Sequence, residues 1–127
     1  MLKDSAVTAI VPATDLRRAR TFYADKLGLT PSQEVPGGLF YTMGPGTSFL
    51  LYETRFPSGD HTVARWHVDD VASEVADLSA RGVSFEHYDD MPGVTWDGDV
   101  ASIAGLGSGA WFTDSEGNVL AINDIGI

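Results

Sequence analysis

The sequence lacks several features that would point to common functional classes. It contains no cysteine, which excludes disulfide bonds and thiolate chemistry. Lysine and arginine number 8 against 18 aspartates and glutamates, and this net charge of -10 argues against binding to nucleic acid or to anionic membranes. No apolar run reaches the ~20 residues of a membrane span, and the N-terminus has no apolar signal segment. We therefore expect a single-domain, cytoplasmic protein.

The main positive feature is an internal repeat. Residues 7–16 and 62–71 each read as a short apolar strand that ends in an acidic residue and opens a helix, and each helix stops at a glycine, Gly28 or Gly82. Further strand-like runs follow in both copies. The pattern predicts an α+β fold in which two tandem β-α-β-β-β modules form curved mixed sheets around a shared groove. We place module one at about 5–56, the linker at 57–61 and module two at about 62–127.

Local signals set the expected element boundaries. Asp15 or Thr14 can cap the first helix and Asp70 the second, because a short side-chain oxygen accepts from an orphan helix N–H group. Residues 89–109 contain five glycines and read as a long, irregular loop that covers the groove. The expected strands are 7–13, 30–35, 39–43, 47–56, 62–68, 83–88, 110–113 and 118–124.

Short motifs in both modules carry a resemblance to a known family. They are TDL (14–16), FY (22–23) and LGL (27–29) in module one, VDDV (68–71) and RGV (81–83) in module two, and WFTDSEGN (111–118) near the C-terminus. The chain resembles the vicinal oxygen chelate superfamily, which includes glyoxalases, bleomycin resistance proteins and dioxygenases. The resemblance implies the two-module fold, a small-molecule site in the groove and a homodimer.

The resemblance also implies positions for the ligands of a divalent ion, which are histidine or glutamine early in each module and glutamate late. Here Thr8, Val63 and Ala121 fill three of these positions, and only Glu53 at the end of strand four offers a ligand. A divalent ion needs about three or four N, O or S donors. We therefore expect no metal and no cofactor.

Three polar residues are candidates for chemistry in the groove. Strand alternation places Glu53 on one face with Phe49 and Leu51, where it is either a carboxylate in an apolar cleft or an exposed strand end. Arg65 and His67 share the parity of Val63. Arg65 is expected to pair with Glu53, with an anionic ligand or with a carboxylate at the edge of the groove. His67 is either an acid–base group or a histidine at the edge of the groove.

Aromatic residues suggest the walls of a binding pocket. Trp96 lies in the glycine-rich stretch and Trp111 begins a strand, and together with Tyr41, Phe49 and Tyr88 they are candidates for an aromatic pocket. Trp96 has two alternative roles, pinning the loop or lying in a subunit interface. Strand alternation places Trp66 on the opposite face from Val63, so Trp66 is expected in the core.

These observations favour a metal-independent protein, similar to bleomycin resistance proteins, that binds or sequesters an apolar or aromatic small molecule. The expected ligand contacts are Thr8, Phe49, Leu51, Val63, Arg65, Trp96, Trp111 and Ala121. One alternative is a metal-free isomerase, lyase or cyclase that uses Glu53 or His67 as a general base. Another is a metal-dependent enzyme of the glyoxalase or dioxygenase type. The sequence leaves open the ligand, and whether the groove forms within one chain or across a dimer.

Overall fold

The computed structural model describes residues 1–56 and 58–126, so Pro57 of the predicted linker and Ile127 at the end of module two lie outside the described residues. A short 3-10 helix at Leu2–Asp4 precedes the two modules. Module one comprises β1 (Ala9–Ala13), α1 (Leu16–Leu27), β2 (Gln33–Val35), β3 (Gly38–Thr42) and β4 (Ser48–Glu53). Module two comprises β5 (Thr62–His67), α2 (Val71–Ala80), β6 (Phe85–Glu86), β7 (Val94–Asp97), β8 (Val100–Ile103), β9 (Gly107–Thr113) and β10 (Val119–Asn123).

Each module builds one mixed sheet, which confirms the predicted α+β fold. Sheet one has the order β1-β4-β3-β2, and sheet two has the order β5-β10-β9-β8-β7 with β6 also paired to β9. The first strand of each module runs parallel to its last strand, β1 with β4 and β5 with β10. The other pairs are antiparallel. The same topology therefore occurs twice, with β7 and β8 as an additional hairpin in module two.

The predicted helix signals are confirmed. The Asp15 carboxylate accepts from the Arg18 amide and the Asp70 carboxylate accepts from the Ser73 amide, so both helices begin at an aspartate cap. Helix α1 ends at Gly28, whose φ of 70° lies in the left-handed region that favours glycine. The C-terminal cap of α2 is Arg81, and Gly82 follows it with a positive φ of 89°.

The structure corrects the interpretation of residues 89–109 as an irregular loop. This stretch contains β7, β8 and the start of β9. The glycines close the tight turns between these strands, since Gly98 and Gly105 both have positive φ. As a result, Trp96 lies on a strand of sheet two rather than on a flexible cover. Strands β2 and β6 are also shorter than the predicted 30–35 and 83–88.

One hydrophobic core joins the two modules. It contains residues from both helices and from the inner face of each sheet, including Tyr23, Phe49, Val75, Phe112 and Leu120. Tyr23 of α1 packs against Tyr41 and Phe49, whose stacked rings have centroids 4.6 Å apart. Because both inner faces border this core, the outer face of each sheet points away from it.

Neither helix in the described part of the chain is long and apolar enough to span a membrane.

Candidate functional site

The outer face of sheet one is apolar with a small hydroxyl pair at one end. Ile10 pairs with Leu50 across β1 and β4, and Phe40 pairs with Leu50 across β3 and β4, so these side chains share this face. Ile10 is 51% exposed. Before β1, the Thr8 hydroxyl lies 3.4 Å from the Ser48 hydroxyl. This surface can contact an apolar molecule and offers two hydroxyl groups at its edge.

The outer face of sheet two carries an aromatic cluster, defined here as His87, Tyr88, Trp96 and Trp111. The strand register places Trp96 and Trp111 on one face, because Trp96 pairs with Ala101, Ala101 with Gly109, and Trp111 lies two residues after Gly109. The two indole rings have centroids 6.0 Å apart, and Tyr88 meets Trp111 edge to face at 5.5 Å. Both tryptophans are half-buried. The predicted grouping of Trp96, Trp111 and Tyr88 thus occurs.

His87 and Asp99 pair at the end of the aromatic cluster that lies next to Trp96. The His87 ring stacks on Trp96 with centroids 4.4 Å apart and an interplanar angle of 8°. His87 Nε2 lies 2.8 Å from Asp99 Oδ1. Since Asp99 belongs to the turn between β7 and β8, this pair connects that hairpin to the segment after β6. His87 follows β6 directly, and no local sequence signal links it to Asp99 or Trp96.

The other predicted aromatic contacts lie in the core. Tyr41 and Leu51 are 0% exposed and Phe49 is 4% exposed, and all three belong to the shared hydrophobic core. The alternation argument correctly put Phe49, Leu51 and Glu53 on one face, but this face packs against α1 rather than lining a groove. Phe49 reaches a surface only where it borders a cleft at the module junction. Trp66 packs against the core, as expected.

Glu53 ends β4 directly opposite Ala13. It is exposed, while Ala13 is 1% exposed. Its register therefore puts it on the inner side of sheet one, opposite to the face of Thr8 and Ser48. The structure does not bring Glu53 next to the aromatic cluster through any strand pairing.

Arg65 and His67 lie on the outer face of sheet two near its free edge. Arg65 is paired across the parallel ladder with Ala121, and His67 with Asn123. The Arg65 guanidinium donates to the Asn123 side-chain oxygen and to the Ile125 carbonyl oxygen. Both Arg65 and His67 are exposed. These hydrogen bonds connect Arg65 to the C-terminal end of β10.

Two clefts lie at the module junction, and Trp66 borders both. The larger, of about 390 Å³, includes Phe49, Arg65 and His67 in its walls. The smaller, of about 230 Å³, is lined mostly by apolar residues and has His67 and Glu74 at its polar side. Neither of these clefts includes Thr8, Trp111 or Ala121. The larger cleft brings Ser48 of the outer face of sheet one near Arg65 and His67 of the outer face of sheet two, whereas the aromatic cluster borders neither cleft.

The residues at the family's metal positions do not fit a divalent ion. Thr8 contributes only a hydroxyl, whereas Val63 and Ala121 contribute no donor atom. Ala121 is 4% exposed and lies beneath the outer face next to Trp111. Glu53 lies on the opposite side of its sheet from Thr8. Within residues 1–56 and 58–126 no group of three or more His, Cys, Asp or Glu side chains could hold a metal ion.

Comparison with known proteins gives the family. The model of the Glyoxalase/Bleomycin resistance protein/Dioxygenase superfamily matches residues 6–122. This chain belongs to that superfamily. The match spans both modules, which agrees with the repeated sheet topology and confirms the expected family. No curated protein matches the chain.

Solved structures of the superfamily share the fold over nearly their full length. A glyoxalase/bleomycin resistance protein from Streptomyces sp. CB03234 is 27% identical, with 92% of this chain and 99% of that chain covered and a TM-score of 0.63. TnmS3, an antibiotic binding protein from the same organism, is 26% identical, with 97% and 98% covered and a TM-score of 0.64. A lactoylglutathione lyase from Agrobacterium tumefaciens, 21% identical with 95% and 94% covered and a TM-score of 0.65, shares the fold.

Proposed function

We propose that this superfamily member binds and sequesters an apolar or aromatic small molecule, without a divalent metal ion, at the aromatic cluster of sheet two. The observation that carries the proposal is the half-buried indole pair, Trp96 and Trp111, on one outer face with centroids 6.0 Å apart. Small-molecule sites are predominantly apolar and aromatic with few polar groups. The residues paired with the two indoles across β8 and β10, Ala101 and Ala121, have short side chains.

Similarity to an antibiotic binding protein supports a binding role. TnmS3 is 26% identical over 97% of this chain. Sequestration requires a complementary surface and no bond-making group, so it tolerates the loss of metal ligands. The donor set of Thr8, Val63 and Ala121 supports metal independence, because a hydroxyl and two aliphatic side chains cannot replace histidine and glutamate.

We further propose that the binding site is completed by a second copy of the chain. Among the described residues, β2 pairs only with β3 and β7 pairs only with β8, so each of these strands has one free edge, whereas the terminal strands β1 and β5 contact each other. Free edges favour pairing or covering. The outer face of sheet one also leaves Ile10 51% and Tyr52 36% exposed. This apolar face of one protomer is suited to cover the aromatic cluster of its partner.

Titration with acridone, a neutral flat tricyclic ligand, tests the proposed function through tryptophan fluorescence. We expect quenching that saturates with micromolar to millimolar affinity and that persists in 1 mM EDTA. A Trp66→Phe variant is the control, since Trp66 packs against the core and its replacement leaves the quenching in place. Quenching that disappears with EDTA and returns with zinc would contradict metal independence. Quenching that Trp111→Phe leaves unchanged would contradict the location.

A further inference from the structure

The acidity of the chain is concentrated where the aromatic cluster lies. No lysine or arginine follows Arg81, whereas residues 82–127 contain eight aspartates and glutamates. Five of these carboxylates fall within residues 86–99, the stretch that supplies His87, Tyr88 and Trp96. Arg65 lies on the same face two strands from Trp111, where its guanidinium donates to Asn123 and Ile125. The excess of carboxylates over this cation favours ligands of positive charge.

Glu86 is placed at this surface by the strand register. On β6 it lies directly opposite Trp111 of β9, and directly opposite residues in an antiparallel pair have Cβ atoms ~4.5–5.5 Å apart on the same face. Burial raises the pKa of the Tyr88 hydroxyl, and the negative charge of Glu86 raises it further. Glu86 therefore lies on the same face of sheet two as Trp111, at the directly opposite position of the neighbouring strand.

The Glu86 carboxylate differs from several others in the chain, which have ion-pair partners. Glu116 pairs with Arg18, Glu34 with Arg20, and Asp99 with His87. Within the part of the chain that the structure describes, no hydrogen bond or ion pair involves the side chain of Glu86, and the residue is exposed. A carboxylate without a partner attracts a nearby cation through Coulombic interaction.

We propose that the aromatic cluster selects flat aromatic cations, with the ligand ring against Trp111 and its positive charge facing Glu86. This inference rests on the proposed binding function and adds the ligand class to it. A cation near an indole face is attracted by the ring quadrupole, and a carboxylate on the same surface adds Coulombic attraction that strengthens as water is displaced. An anionic ring of the same shape meets repulsion from Glu86 and from the carboxylates around it.

Three tricyclic probes of nearly equal size test this selectivity at pH 7: 9-aminoacridine, which is positively charged, acridone, which is neutral, and acridine-9-carboxylate, which is negatively charged. Binding is measured by calorimetry at low and high salt. We expect 9-aminoacridine to bind about tenfold more tightly than acridone and the carboxylate to bind most weakly. Glu86→Gln lowers the 9-aminoacridine affinity by about five- to tenfold and leaves acridone affinity unchanged.

Glu74→Gln is the matched control, because it removes the same charge from α2, where Glu74 borders the smaller junction cleft instead of the aromatic cluster. An equal loss of 9-aminoacridine affinity in both variants would overturn the assignment to Glu86. Acridone and 9-aminoacridine binding with equal affinity would overturn the cation preference and leave the proposed binding function in place. Failure of all three probes to bind would overturn both.

Discussion

The Tyr23 hydroxyl of helix α1 donates a 2.7 Å hydrogen bond to Asp114 Oδ2 in the turn between β9 and β10. Tyr23 is 0% exposed and Asp114 is 7% exposed. The same aspartate oxygen accepts from the Asn118 side chain, whose amide also donates to the Pro12 carbonyl oxygen of β1. The turn of module two is therefore connected to the helix and first strand of module one by a buried polar network.

Tyr23→Phe removes the hydroxyl donor from this network and leaves the ring in place. We expect the free energy of unfolding to fall by about 1–3 kcal/mol, because Asp114 loses a buried donor. Denaturant titration measures the change. Tyr52→Phe is the control, since Tyr52 is 36% exposed and its removal of a hydroxyl should cost little. Equal stability of Tyr23→Phe and the unsubstituted protein would show that the hydrogen bond contributes nothing net.

Glu116 should make the stability of the protein depend on acid pH. Burial by itself would raise the pKa of this carboxyl, but hydrogen bonds from the Arg18 side chain, the Asp15 amide and the Ser115 hydroxyl outweigh burial and lower the pKa to about 2. A lowered folded-state pKa means that the stabilisation is complete above the ordinary value of 4.5 and is lost as pH falls toward about 2.

The measurement is the melting temperature of the protein and of Glu116→Gln between pH 6 and pH 2. We expect the melting temperature of the unsubstituted protein to exceed that of Glu116→Gln near pH 6, and we expect this difference to shrink as the pH falls to 2. Arg18→Met should reduce this pH-dependent loss, because without the Arg18 guanidinium, 2.7 Å from Glu116 Oε2, the folded-state pKa of Glu116 moves back toward its unfolded value. A constant difference between protein and Glu116→Gln across the range would rule out this origin of acid sensitivity.

Trp96→Ala should reduce ligand affinity more than stability. Its ring packs on His87 and against Trp111 on the outer face of sheet two, away from the core cluster. We expect acridone to bind about tenfold more weakly, with a melting temperature lowered by only about 2–4 °C. Calorimetric titration and thermal melts give the two values. A large loss of stability with unchanged affinity would assign Trp96 a structural role instead.

Glu53→Gln should leave acridone affinity within about twofold of that of the unsubstituted protein. Glu53 lies opposite Ala13 on the inner side of sheet one, whereas the proposed ligand surface is on the outer face of sheet two. The competing hypothesis of a metal-free enzyme makes a different prediction. If a substrate is turned over and Glu53→Gln lowers the rate by orders of magnitude, Glu53 acts as the general base.

Light scattering at micromolar concentration should give about twice the 13.6 kDa chain mass. The free edges of β2 and β7 and the exposed outer face of sheet one are the surfaces that a second copy would cover. Replacing Ile10 with glutamate puts a charge on that face and should shift the equilibrium toward monomer. A monomeric mass for the unsubstituted protein would contradict the two-chain site.

Features that depend on neighbouring residues were predictable from the sequence. The helix caps at Asp15 and Asp70 and the left-handed Gly28 follow from residue type and position, since each satisfies backbone groups of its own helix. Strand alternation correctly grouped Phe49 with Leu51 because side-chain direction has a period of two in any strand. The repeat of these local patterns was sufficient to predict two modules and the family.

The tertiary structure alone decided which face of each strand meets the core. Alternation is symmetric between the two faces, so the sequence placed Phe49 in a groove while packing against Tyr23 and Trp66 placed it in the core. Glycine content likewise indicated a loop at 89–109, where pairing of β7 with β8 produced a hairpin that carries Trp96. Contacts such as His87 with Asp99 and Glu86 with Trp111 depend on strand register, which forms only when distant segments pack together.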